Sequence, residues 1–197
     1  MKKTVALSII TVIFLFMLCS CAYSKEVESG DFSIGYGSYM LSNKFNIDGA
    51  GVCGYTWDGN EANTDIVIPD SYDGQKIKQL GGYFYRGVPS PFCIDSYSAI
   101  SDADSVSTIP YESAVEGYTK GEDIIYRDFT LHIGKNIDKI YSNCDVVYVA
   151  AVDNKVYSYC ARVYIVCDED NETFYSKDGK LYYQKSDELV NGFVYAE

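Results

Sequence analysis

TDIVIPDSYDGQKIKQLGG, residues 64–82, holds the repeating idea of this chain in one stretch. Ile66, Val67 and Ile68 form an apolar run, and Pro69 ends it because proline has no N–H for a continuing ladder. Asp73-Gly74 is a turn signal, and Ile77 and Leu80 supply a second apolar pair. The stretch therefore reads as strand, turn, strand. Whether it is a lone hairpin or one rung of a ladder decides between an ordinary domain and an extended binding surface.

A second copy favours the ladder. In RDFTLHIGKNIDKIYSN, residues 127–143, Phe129, Leu131 and Ile133 alternate with Thr130 and His132, the pattern of a half-buried strand. TLHIGKNIDKI then repeats the order of strand, turn and apolar pair, with Ile137 and Ile140 in the places of Ile77 and Leu80 and a turn five residues shorter. VVYVAAV at 146–152, followed by ARVYIVCDEDNETFYSKDGKLYYQK at 161–185, continues the spacing as a third group. A rung cannot bury its own apolar face and needs neighbours stacked on it; this length holds about three. Residues 31–57 are expected to cap one end. Between Val88 and Thr119 the pattern dissolves into Pro, Ser and Asp, which reads as a long loop insertion with a short helix over SAISDADSVS, residues 98–107.

These residues resemble the bacterial surface leucine-rich repeat family called BspA-like. Its units run apolar strand, Ile-Pro, turn, Ile-x-x-Ile-Gly and an aromatic turn, and IVIPDSYDGQKIKQLGGYFYRG at 66–87 is similar to the form with the longer turn. VYIVCDEDNETFYSKDGKLYYQK resembles the terminal segment of such arrays, with Ser176, Asp178, Gly179, Leu181 and Tyr182 in agreement and Glu172 where the family has proline. The middle unit departs more, with Gly134 in place of the proline. The resemblance implies a short, degenerate β-solenoid and adhesion to host proteins or other cells.

The N-terminus reads as an export signal. Lys2 and Lys3 precede an almost wholly apolar run from Val5 to Leu18, and Leu18-Cys19-Ser20-Cys21 follows. That ending resembles a bacterial lipobox, in which Cys21 becomes the acylated first residue of the mature protein. Cleavage after Ala22 by the small-x-small rule and retention as a short membrane anchor are the alternatives. The expected organisation is a signal peptide over 1–20, a tether over 21–30 and one β-rich domain over 31–197, exported, lipid-anchored and facing outward.

Removing residues 1–20 takes away two lysines and no acids, so 14 basic and 28 acidic residues remain, a net charge of −14. This argues against nucleic acid as a partner. All 20 tyrosines lie beyond the signal, suited both to half-buried strands and to contact surfaces. Five cysteines follow the lipid site: Cys53, Cys93, Cys144, Cys160 and Cys167. An odd number outside the cytoplasm leaves one thiol unpaired or intermolecular. Cys160 and Cys167 would lie about 23 Å apart on one extended strand, too far to bridge. Buried thiols and a disulfide framework both stay open.

No catalytic constellation stands out. His132, the single histidine, reads as a solvent-facing strand residue, and no spacing resembles a zinc site. DEDNETFYSKDG at 168–179 departs from the calcium-loop template, with Thr173 and Gly179 at its sixth and twelfth positions. No metal or cofactor is expected, and no enzyme. GGYFYRG at 81–87 lacks the Lys and Ser/Thr of a nucleotide loop. The expected function is a non-catalytic adhesion module for a host or envelope protein or glycan, with Trp57, Tyr83, Phe84, Tyr85, Tyr157 and Tyr159 as contact residues. An envelope glycan hydrolase or its accessory subunit, and a structural lipoprotein packed on an envelope partner, are the rival readings.

Overall fold

The two strand runs aligned in the sequence lie side by side in space. The computed structural model describes residues 24–29, 31–37, 50–85, 88–95, 105–117, 124–152 and 155–197, and these are mainly β. The side chains of residues 24–29, 36–37, 83–85 and 88–90 lie outside that description. The strands are β1 (Ser24–Ser29), β2 (Phe32–Gly37), β3 (Ala50–Thr56), β4 (Asp65–Val67), β5 (Ser71–Tyr72), β6 (Gln75–Leu80), β7 (Gly82–Tyr85) and β8 (Val88–Ser90). They continue as β9 (Cys93–Asp95), β10 (Ser105–Pro110), β11 (Ile124–Ile133), β12 (Lys139–Ile140), β13 (Val146–Val152), β14 (Lys155–Cys167), β15 (Phe174–Lys177) and β16 (Lys180–Tyr183). Between β10 and β11 stands α1 (Tyr111–Gly117), the one helix among the described residues.

Strand β11 pairs in parallel with β4 on one side and β14 on the other, so that Leu131 stands between Ile66 and Ile165. One turn further along, β12 pairs in parallel with β6, placing Ile140 against Leu80. The two sequence copies thus superpose strand on strand. The five extra residues of the first copy are absorbed by the β5–β6 hairpin, whose two-residue loop has Asp73 at φ 48° and Gly74 at φ 75°. Two successive positive φ angles define the turn whose twist suits a hairpin, and Asp-Gly adopts it readily. Ile66, Ile68, Ile77, Leu80, Leu131, Ile133, Ile137 and Ile165 share one core with Trp57, Phe92 and Phe129. Each such aliphatic side chain, fully buried, contributes about 1.5–3 kcal/mol before entropy is counted.

Three expectations need correction. VVYVAAV is not a rung, because β13 runs antiparallel both to β14 and to β10. Val152 pairs with Lys155, three residues further on, a separation that only a hairpin can span. The third parallel strand is ARVYIVC alone, and the sheets are mixed: β10-β13-β14-β11-β4 in one, β1-β2-β3-β6-β12 with β5 and β9 attached in the other. Second, residues 88–119 are not one long loop. They include β8, β9, β10 and α1, with β9 beside β3 and Phe92 wholly buried. Third, a helix stands at 111–117, where none was expected; of the stretch 98–107 expected to hold one, residues 105–107 belong to β10 and 98–104 lie outside the described residues. The helix follows Pro110, carries Glu112 in its first turn, and buries Ala114 against Ile124, Val147, Cys160 and Val194.

The free side of β14 is closed residue by residue. Val163 N–H donates to the Val194 carbonyl at 2.8 Å, Ile165 N–H to the Gly179 carbonyl at 2.8 Å, and Cys167 N–H to Ser176 Oγ at 2.9 Å. Unpaired strand edges invite association, and here the β15–β16 hairpin and the tail at Val194 occupy this one. Asn171 locks the closing segment to the preceding rung. Buried at 2% exposure, its Nδ2 donates to the carbonyls of Gly134 and Ile137, while its Oδ1 accepts from Thr173 and Phe174 N–H.

Candidate functional site

Strand alternation sends the aliphatic residues of β4, β11 and β14 inward and their neighbours outward. Because the pairing is parallel and in register, the outward residues form rows. Val67, His132 and Val166 make one row; Asp65, Thr130 and Tyr164 the next; Asp128 and Arg162 the third. Val67 is 61% exposed, Tyr164 48% and Val166 38%, a concentration of apolar surface that an isolated folded domain has no need to display. His132 Nε2 stands 3.9 Å from Asp65 Oδ1. Arg162 grips Asp128 with two hydrogen bonds of 2.7 and 2.8 Å and lies over the Tyr126 ring at 4.6 Å. That hydrogen bonding with Asp128 raises the Arg162 pKa still further.

This face is bounded at both ends. Toward the start of the strands, α1 covers it by packing Ala114 on Ile124 and Cys160. Toward their finish it opens into a groove of about 380 Å³ lined by Ile68, Pro69, Asp70, Gly134, Cys167 and Asp168 among others. Tyr164 is held at the third-strand margin by the β15–β16 turn. Gly179 has φ 72°, and a Cβ built on it would stand 2.3 Å from the Tyr164 ring, so the ring occupies the space a side chain would fill.

Of the contact residues expected from sequence, Trp57, Tyr157 and Tyr159 are described, and none of them belongs to these rows. Trp57 is 2% exposed, donates its Nε1 hydrogen to the Asn60 carbonyl, and meets Phe129 edge to face at 5.9 Å. Tyr159 is 6% exposed, and its half-buried neighbour Tyr157 stacks on it at 6.4 Å. Between Trp57 and Tyr159 lies Arg127, its guanidinium 4.4 Å from one ring and 5.0 Å from the other. Arg127 Nε is buried without a hydrogen-bond acceptor among the described residues, and the ring faces supply its attraction instead. The structure does bring Trp57, Tyr157 and Tyr159 together, but Trp57 and Tyr159 are packing residues rather than presented rings. The side chains of Tyr83, Phe84 and Tyr85 lie outside the described residues, as does Cys21.

Cys144, Cys160 and Cys167 are free thiols, and Cys93 Sγ lies 3.9 Å from the Cys53 carbonyl oxygen. Cys160 and Cys167 do sit on one extended strand, and they serve different packing clusters. Burial pushes the thiols of Cys144 and Cys160 up to about 12 and that of Cys167 to about 11, so they are protonated near neutral pH. DEDNETFYSKDG holds a local turn, with Asp168 Oδ1 accepting from Asp170 N–H. Among the described residues, no three His, Cys, Asp or Glu side chains cluster as a metal ion would need.

Compared with protein-family models, curated proteins and solved structures, the chain matches none. The face itself was reachable from sequence. Setting DIVIP, TLHIG and YIVCD in register gives the outward positions directly, whereas choosing aromatic residues by type led to the core.

Proposed function

We propose that this chain is an exported, lipid-anchored surface protein, a short leucine-rich-repeat-like solenoid of the BspA-like kind, and that its exposed parallel face is a non-catalytic binding module. The observation that carries this reading is the in-register row of Val67, His132 and Val166 beside Tyr164. Four solvent-facing side chains, three of them apolar and one an imidazole, form a surface with little conformational entropy to lose. Their backbones are fixed by a core on the opposite side. Aromatic and aliphatic residues so placed are the usual centre of an interface, and the Asp128–Arg162 pair gives it a polar margin.

The partner is a host or envelope protein or glycan, met at the cell surface. The test is capture by the immobilised protein, offered separately to host matrix proteins, mucin glycans and an extract of the producing cell's own envelope. Saturable capture of a host component supports adhesion. Saturable capture of an envelope component alone replaces adhesion with an assembly role, and capture of nothing contradicts the binding reading.

A further inference from the structure

The groove at the finish of β4, β11 and β14 has a charge character of its own. Asp70 and Asp168 stand at its two sides, both exposed, and neither takes part in an ion pair among the described residues. Among the described residues no lysine or arginine lines the groove; Lys135, which follows Gly134 in the chain, is not part of its wall. Its floor is apolar and continuous with the Val67, His132 and Val166 row. A second groove of about 520 Å³, between α1 and the tail segment 189–195, repeats the pattern, with Glu112 and Asp145 and no basic residue among the described ones. Neighbouring carboxylates over an apolar floor attract a ligand that brings both cationic and apolar groups.

We infer that this groove docks an extended, basic polypeptide segment. The inference rests on the reading of the parallel face as a binding surface, and names the partner chemistry of its lower end. Asp70 follows β4 and Asp168 follows β14, on either side of β11, and Asp70 Oδ1 reaches over Gly134, 3.2 Å from where a Cβ would stand, so both carboxylates border the same groove. A segment laid across the groove meets the two carboxylates with its cationic side chains while its apolar groups lie on the floor. The net charge of −14 beyond the signal adds long-range attraction for such a segment and repels an acidic one.

The test is fluorescence anisotropy of the full chain in detergent with a labelled hexapeptide, Ser-Lys-Val-Thr-Lys-Ser, and with its counterpart bearing Glu in place of both Lys. Expected are saturable binding of the basic peptide only and weakening by about tenfold between low salt and ~0.5 M salt. A similar loss is expected in Asp70→Asn/Asp168→Asn, which keeps both side-chain shapes and the acceptor used by Asp170. No binding, binding of both peptides alike, or binding untouched by salt or by the double substitution overturns the inference. Capture of a host or envelope component that survives in that variant leaves the broader reading of the face standing, so the two failures are distinguishable.

Discussion

Asn171 shows how much one buried amide can hold. Both its donors and both its accepting positions are used, and they join the turn after β11 to the start of the closing hairpin. Asn171→Ala takes a partner from the Ile137 carbonyl and from two N–H groups, while the Gly134 carbonyl keeps the Ile137 N–H, and leaving even some of these unpaired costs about 1–3 kcal/mol each. Urea denaturation is expected to show a loss of about 3 kcal/mol or more; a loss below about 0.5 kcal/mol contradicts this account of the closure. The buried thiols make a second prediction. Their folded pKa values of about 11 to 12 lie above the ordinary 9.0, so above about pH 9 the unfolded chain gives up protons that the folded one retains. Their contribution to stability is full below pH 9 and falls as pH rises toward 11–12. The thermal midpoint should drop across that window, and the folded protein should resist iodoacetamide near pH 8 at Cys144 while the denatured chain reacts. Rapid labelling of the folded form would show that the thiol is not enclosed. At this scale the sequence is hard to read: nothing in its letters distinguishes Asn171 from any turn asparagine, and Trp57 and Tyr159 look alike whether presented or packed, because the deciding neighbour, Arg127, lies far away in the chain.

At the scale of elements, Gly179 is where the closing hairpin meets the exposed parallel face. Gly179→Ala adds strain at φ 72° and forces a methyl into the Tyr164 ring, and a destabilisation of more than about 1 kcal/mol is expected. In Tyr164→Ala the space is free, so the cost of Gly179→Ala should shrink to the backbone term. A double-mutant cycle by denaturant titration measures this, and strict additivity would contradict the packing of ring on turn. The strands of the first two rungs were legible because alternation, an Asp-Gly turn and a recurring pair of apolar residues all agree. β13 was misassigned because a continuous apolar run has no periodicity that separates a parallel rung from an antiparallel neighbour. β8, β9, β10 and α1 were illegible for a related reason: Phe92, Ile94 and Ala114 are anchored by long-range contacts, while the residues around them are polar and carry no period of their own.

For the whole molecule, the architecture explains why a chain of few rungs holds together. One long side of β14 is closed by Val194, Gly179 and Ser176, and β3 with β2 continues the other sheet beyond β6, so the parallel strands are bracketed by non-repeating pieces. If the chain is exported through its apolar leader and acylated at Cys21, then Cys21→Ala should lower its mass by the acyl groups and release it from the membrane fraction. An unchanged mass and fractionation would remove the lipid anchor from the account. The measurement that bears most directly on the exposed parallel face as the binding surface compares the unaltered protein with Val67→Ser/Val166→Ser in saturable capture from host matrix proteins, mucin glycans and envelope extract, with thermal midpoints recorded alongside. Both valines are exposed, so the midpoint should barely move while capture falls by about tenfold or more. Capture unchanged at an unchanged midpoint would place the binding surface elsewhere and contradict the central claim.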